Sequence, residues 1–360
     1  MAVPSARLTK AALKLAGVAI CALVWPDHPA ALAGVTPPDY GLNWVTIGDA
    51  GNRGVLPAEV PDRPELANQN LGAVSYEFRL TQTEITVRQW YEFVLAYAPH
   101  YEGPATNNAF TGGSIFRIGD GYIITTSNPD QPTGMSWEYA ARYCNWLHNG
   151  KALTRDAFES GAYDTSTFTF NKDGTANHQL TRSEGALFWI PSLDEWTKGA
   201  HWDPAKNNGE GGYWRYPGAS DEPLIPGPPE QGGQTNAGRT ESGAVGPATA
   251  GSYPDVSGPW GLLDTSGGVS EWTESPGSAS LGRRLVRGSS RGSQVYALRD
   301  EIDSQTFGLV EAPGSGLRLA SVVPSPGAWC IGLFGLFSCF TRRRPCARSL
   351  VPPCRSWGLC

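Results

Sequence analysis

Three stretches of the chain repeat apolar residues at helical spacing behind a capping residue, and they set its skeleton. Thr86-Val-Arg-Gln89 is a capping box, in which the side chains of the first and last residues satisfy each other's free backbone N–H groups. Trp90, Phe93, Val94 and Tyr97 follow at i, i+3, i+4 and i+7, so the spacing predicts a helix from about Val87 to Ala98 with one aromatic face buried. Ser136 caps a second helix whose stripe is Trp137, Ala140, Ala141, Cys144 and Leu147; Glu138 in its first turn faces the positive end of the helix dipole. That helix ends near Asn149-Gly150. Ser192-Leu-Asp-Glu195 is another capping box, opening a short helix through Trp196 and Ala200 behind the apolar run Leu187–Ile190. Strands are expected at Trp44–Ile47, Tyr76–Thr81, Gly121–Thr125 and Leu285–Arg287. Between Pro217 and Pro259 the chain is dominated by Gly, Pro, Ser, Thr and Ala and reads as one long loop.

Composition fills in this skeleton. A chain of 360 residues, 40% hydrophobic with 13 Trp, can bury a large core. Its 44 Gly and 29 Pro favour turns and irregular connections over long helices or a regular parallel sheet, which points to a loop-rich α+β protein. The net charge of −6, with no basic stripe in the middle of the chain, argues against nucleic acid as a partner.

Both ends read as address labels. Arg7, Lys10 and Lys14 flank and enter the apolar run Leu13–Trp25, and Ala31-Leu-Ala33 offers a small-x-small cleavage site, so residues 1–33 are expected to be a signal peptide and Gly34 the mature start. Pro26 and Pro29 would break an amphipathic first helix here. At the other end, Val323-Pro-Ser-Pro326 leads into the apolar run Gly327–Phe340, closed by Arg342, Arg343 and Arg344 and shorter than the roughly 20 residues of a membrane span. Residues 322–344 thus resemble the PEP-CTERM sorting tail of exopolysaccharide-producing Gram-negative bacteria, which an exosortase recognises and removes. Ser325 stands where that motif usually has Glu, and residues 345–360 form an irregular extension carrying Cys346, Cys354 and Cys360. The leader and this resemblance imply export to the periplasm, cell surface or extracellular matrix. They also imply processing by signal peptidase and an exosortase-like enzyme, with transient membrane association through the tail. Of the seven Cys only Cys144 lies in the body, so no disulfide can form within it. Its place on a helical stripe makes it a small buried hydrophobe.

Candidate chemistry concentrates in Gly258-Pro-Trp-Gly-Leu-Leu-Asp-Thr-Ser-Gly-Gly-Val-Ser-Glu-Trp272. Asp264 and Glu271 flank Gly267, Gly268 and Val269, where glycines let the backbone turn tightly and aim carbonyl oxygens inward. Hard cations such as Ca²⁺ take shells of carboxylate and main-chain oxygens. Read alone, the same residues also make an ordinary glycine turn with two solvated acids.

Neighbouring motifs decide between these readings. Asn43-Trp-Val-Thr-Ile-Gly48, Tyr76–Thr86, Met135–Leu147, Ile190–Trp196, Tyr213–Pro217, Gly261–Trp272, Arg287-Gly-Ser-Ser290 and Gly316-Leu-Arg-Leu-Ala320 occur in this order. Together they are similar to the sulfatase-modifying-factor domain of formylglycine-generating enzymes, over residues 43–321 of a body that spans 34–321. The resemblance implies a C-type-lectin-like α+β fold, poor in regular secondary structure and packed with aromatics. It also implies bound Ca²⁺, with side-chain oxygens from Asp264 and Glu271 and carbonyls from Gly267 and Val269. Gly268 replaces the family's usual Asn, and Ser270 its usual aromatic. A second calcium position would begin near Asn236.

For catalysis the pattern departs from the family. Formylglycine-generating enzymes bind Cu(I) through two cysteines after the Arg-Gly-Ser motif, and Arg287–Ala320 contains none. Ser289, Ser290 and Ser293 offer hard hydroxyls that cannot replace thiolates, so copper chemistry is not expected. His100, His148, His178 and His201 are scattered without metal-ligand spacing. No nucleophile elbow, phosphate loop or His-Glu-x-x-His occurs, and Gly48–Gly54 lacks the spacing of a dinucleotide site. The adjacent acids Asp194-Glu195 and Asp300-Glu301 suit helix starts or solvated loops better than acid–base work, so no catalytic residue is assigned. The expectation is a calcium-stabilised binding or structural module, engaging extracellular polysaccharide or a surface protein, with a platform for sugars among the Trp residues of the body. The alternative is an oxidase of the formylglycine-generating class acting on a sulfatase cysteine, or another protein substrate, through a cysteine-independent site.

Overall fold

A computed structural model describes residues 36–324, apart from residues 241 and 279–281. The signal peptide lies outside the described residues, as do the tail and extension from residue 325 onward. Among the described residues no helix is long and apolar enough to cross a membrane.

The main elements, in chain order, are β1 (Trp44–Ile47), β2 (Phe78–Thr81), α1 (Val87–Tyr97), β3 (Ile115–Ile118), β4 (Gly121–Ile124), α2 (Trp137–His148), β5 (Phe188–Trp189), α3 (Leu193–His201), β6 (Glu271–Ser278), β7 (Arg283–Arg287), β8 (Thr306–Leu309) and β9 (Ala320–Ser321). Short helical turns and two-residue hairpins fill the connections, so the architecture is α+β and loop-rich, as composition predicts. All three capped helices form where expected. Thr86 and Ser192 make complete capping boxes, and Ser136 accepts the Tyr139 N–H. Each cap answers one of the free N–H groups that every helix start leaves behind.

Two antiparallel sheets carry the frame. In the first, the strand order β1-β2-β9-β5 brings the end of the domain back beside its beginning, with Ala320 opposite both Leu80 and Trp189. In the second, β6, β7 and β8 run in sequence order, with Glu271 opposite Arg287 and Val286 opposite Thr306. Pro276 and Gly277 fall inside β6, whose register shifts after Trp272, because proline cannot donate to the ladder.

Between sheets and helices lies a core of aromatics, including Phe78, Trp90, Phe93, Trp137, Tyr163 and Trp189. Seven of the ten Trp in the body are buried, and Trp44, Trp214 and Trp260 are half-buried. Of the half-buried ones, Trp44 faces the Arg79 guanidinium at 4.7 Å and Trp214 faces Lys206 at 3.8 Å. Cys144 is buried on α2 as its stripe position implies. The acids at the start of α3 do serve the helix, but Asp300 and Glu301 differ from the expected solvated loop. Both are buried: Glu301 accepts the Tyr216 hydroxyl at 2.6 Å and pairs with Arg215, and Asp300 accepts the Ser266 and Ser289 hydroxyls on one of its oxygens.

Candidate functional site

Three segments meet at one end of the domain: the loop Leu262–Ser270 that feeds β6, the stretch Thr235–Ala237, and Gly288–Gly292 after β7. Backbone bonds tie them together. The Gly267 N–H donates to the Ser289 carbonyl at 3.2 Å, Arg291 N–H to the Gly268 carbonyl at 3.0 Å, and Gly292 N–H to the Asn236 carbonyl at 3.1 Å. Asn236 therefore joins this loop.

Gly267 and Gly268 have φ of 101° and 55°, a region that glycine enters without steric cost. Space demands glycine as well. A Cβ on Gly267 would overlap the Asn236 side chain, and one on Gly268 would overlap the Glu84 carboxylate. The loop is gripped from both sides: Asn236 Oδ1 accepts the Gly268 N–H and Glu84 Oε1 accepts the Val269 N–H, each at 2.7 Å. Among the described residues the carbonyl oxygens of Gly267 and Val269 accept no hydrogen bond, and Glu84 Oε2 is buried without a partner.

Beneath the loop, Glu271 opens β6 and is fully engaged. Its two oxygens take the Arg318 guanidinium at 2.8–3.1 Å and the Trp196 indole N–H at 2.6 Å. Arg318 also donates to the carbonyls of Thr81, Gln82 and Leu263, pinning β2 to the loop. Asp264, at φ 56°, accepts the Gly251 N–H. Burial, reinforced by the neighbouring Glu271 and Asp264 carboxylates, holds Glu84 well above the usual carboxylate range. Burial raises Asp264 as well. Carbonyl, amide and carboxylate oxygens gathered around one loop are the donor set that Ca²⁺ takes, so the residues present fit that ion.

Above the loop opens a polar cavity of about 310 Å³, lined by Gln131, Asn236, Gly268, Val269, Ser290 and Arg291. Arg291 is exposed, and its guanidinium forms no ion pair among the described residues. Behind the cavity wall, Asp300 Oδ2 accepts the hydroxyls of Ser266 at 2.6 Å and Ser289 at 3.0 Å. Burial pushes Asp300 up to about 7. The histidines stay apart from all this: His201 pairs with the Trp214 carbonyl and His178 with Glu138.

The structure thus brings Gly267, Val269 and Asn236 to one place and sets Asp264 and Glu271 below them, engaged with other partners. Glu84 and Arg318 are the participants that sequence reasoning missed. Their signal is a charge beside buried apolar residues: Glu84 directly precedes buried Ile85, and Arg318 separates buried Leu317 and Leu319.

The profile of the sulfatase-modifying factor enzyme 1-like domain matches residues 50–323. Among solved structures the chain is similar to CarF, at 18% identity and a TM-score of 0.47, over 80% of this chain and 100% of that one. Treponema denticola variable protein 1 matches at 17% identity and a TM-score of 0.42, over 78% and 95%. PvdO from Pseudomonas aeruginosa matches at 14% identity and a TM-score of 0.38, over 70% and 82%. No curated protein matches the chain in sequence.

Proposed function

The chain belongs to the sulfatase-modifying factor enzyme 1-like domain family, and from that premise we propose that it is an exported, cell-surface-associated binding module. It keeps the C-type-lectin-like scaffold, is stabilised by Ca²⁺, and engages an extracellular polysaccharide without copper chemistry. The observation that carries this reading is the chemistry of the cavity wall. Gln131, Asn236, Ser290 and Arg291 present amide, hydroxyl and guanidinium groups, while no cysteine stands between Arg287 and Ala320. Cys144, the free cysteine among the described residues, is buried on α2, and burial raises its thiol well above the ordinary range. A wall of this kind supplies hydrogen bonds to sugar hydroxyls and one charge-assisted contact to an acidic group.

Ca²⁺ would be held at the loop by the carbonyls of Gly267 and Val269 and by Asn236, with Asp264 and Glu271 adding negative charge below. Because Gly268 and Val269 also line the cavity, ordering the loop orders the wall. The test is retention of acidic and neutral polysaccharides by the purified protein. Acidic chains should bind, EDTA should release them, and Arg291→Ala should weaken binding by about tenfold, the scale of one charge-assisted hydrogen bond. Oxygen consumption above a protein-free control, with Cu(I) and a cysteine-bearing sulfatase peptide, would overturn this in favour of the oxidase.

A further inference from the structure

We infer that Glu84 is a direct ligand of the calcium ion, and that Glu271 serves as the partner of Arg318. The inference rests on the calcium reading of the loop and sharpens which acid completes it. Glu84 is 1% exposed, and one of its oxygens is already oriented by the Val269 N–H. The other has no donor. A buried carboxylate oxygen without a donor is costly, and native structures resolve it with a hydrogen bond, a water or a cation.

The nearest guanidinium does not serve it. Arg318 spends its N–H groups on Glu271 and on the carbonyls of Thr81, Gln82 and Leu263. What Glu84 faces instead is the backbone of Gly268, between the two carbonyls that accept no hydrogen bond; only the missing Cβ leaves it room. Glu271 is the reverse case. A cation on its oxygens would have to displace the guanidinium and the Trp196 N–H, and would stand beside a fixed positive charge. Hard cations favour the carboxylate oxygen that no donor already holds.

Thermal unfolding of the full chain in EDTA and in CaCl₂, together with Tb³⁺ luminescence titration excited through tryptophan, tests the assignment. The wild type should melt higher in calcium. Glu84→Gln keeps the shape and the bond to Val269 but removes the charge. It should melt no lower than wild type in EDTA, lose the calcium increment, and bind Tb³⁺ on the order of tenfold more weakly. Glu271→Gln should show the opposite pattern, melting lower in EDTA while retaining its calcium increment. A Glu84→Gln protein that keeps the increment overturns the ligand assignment and leaves the calcium reading standing. A wild type that responds to neither ion overturns both. Should Glu84→Gln fail to fold, Glu84→Asp keeps the charge but withdraws the oxygen, and unchanged Tb³⁺ affinity in that variant also overturns the assignment.

Discussion

Two clusters of buried charge brace this domain, and they differ in one respect. At the start of α3, Arg182 holds Glu195 and Glu274 at 3.0 Å, Trp189 and Tyr76 donate to Glu195, and the Ser192 N–H completes its shell. Both carboxylates there are fully partnered within the protein. Under the Gly267–Val269 loop, Arg318 closes off Glu271 in the same manner, but Glu84 keeps one oxygen without a donor. The lesson is that buried charge by itself marks a brace. The exception, a charge the protein leaves unfinished, marks a place for something else.

The largest expected effect sets the two braces side by side. Arg318→Met strands Glu271 and should cost about 3–5 kcal/mol in urea unfolding, the usual penalty for orphaning one member of a buried pair. Arg182→Met should fall in the same range, toward its lower end, since Arg182 is partly exposed. Calcium separates them: it should restore part of the stability of Arg318→Met, where a cation replaces lost positive charge, and none of that of Arg182→Met. Equal rescue, or none in either, would erase the distinction between open and closed clusters.

Next in size is a pH effect that belongs to the closed cluster. Burial, only partly offset by Arg182, raises Glu274 from an ordinary 4.5 to about 7. The folded state therefore holds that proton more tightly than the unfolded chain does. Its contribution to stability is complete below about 4.5 and is lost as pH rises through about 7. The loss should be on the order of 3 kcal/mol across that window. Urea titrations of wild type and Glu274→Gln between pH 4.5 and 7 should show it, the variant lacking this part of the slope. Parallel slopes would mean that closing the hydrogen bonds had also removed the cost of burial.

What the chain discloses in advance follows the range of the interactions. Thr86, Ser136 and Ser192 announce their helices because a cap and its target lie within three residues. Strand β1 was legible from its apolar run, whereas Ala320 and Ser321 form β9 only by pairing with Leu80 and Trp189, far away in sequence. Strand β6 was masked by Pro276 and Gly277, so Glu271 read as part of a turn when it begins a strand. At the site, the loop glycines and Asn236 were found through family resemblance, but that pattern drew attention to Asp264 and Glu271 as the acids. Glu84 lies 180 residues or more before them, and nothing local pairs it with Val269.

The smallest effect tests whether the open cluster depends on the helix beside it. Thr86 caps α1 two residues after Glu84, and Ser192 caps α3 three residues before Glu195. Thr86→Ala and Ser192→Ala should each cost about 1 kcal/mol in EDTA, the ordinary value of a cap. Glu195 would remain held by Arg182, Trp189 and Tyr76 after its cap is lost, so nothing else should change. Glu84 has only the Val269 N–H to hold it, and fraying at the start of α1 would loosen its carboxylate. Calcium titrations followed by melting temperature should therefore show a smaller increment in Thr86→Ala and the full wild-type increment in Ser192→Ala. If both variants keep the full increment, the loop positions Glu84 without help from α1, and the cap and the site are independent.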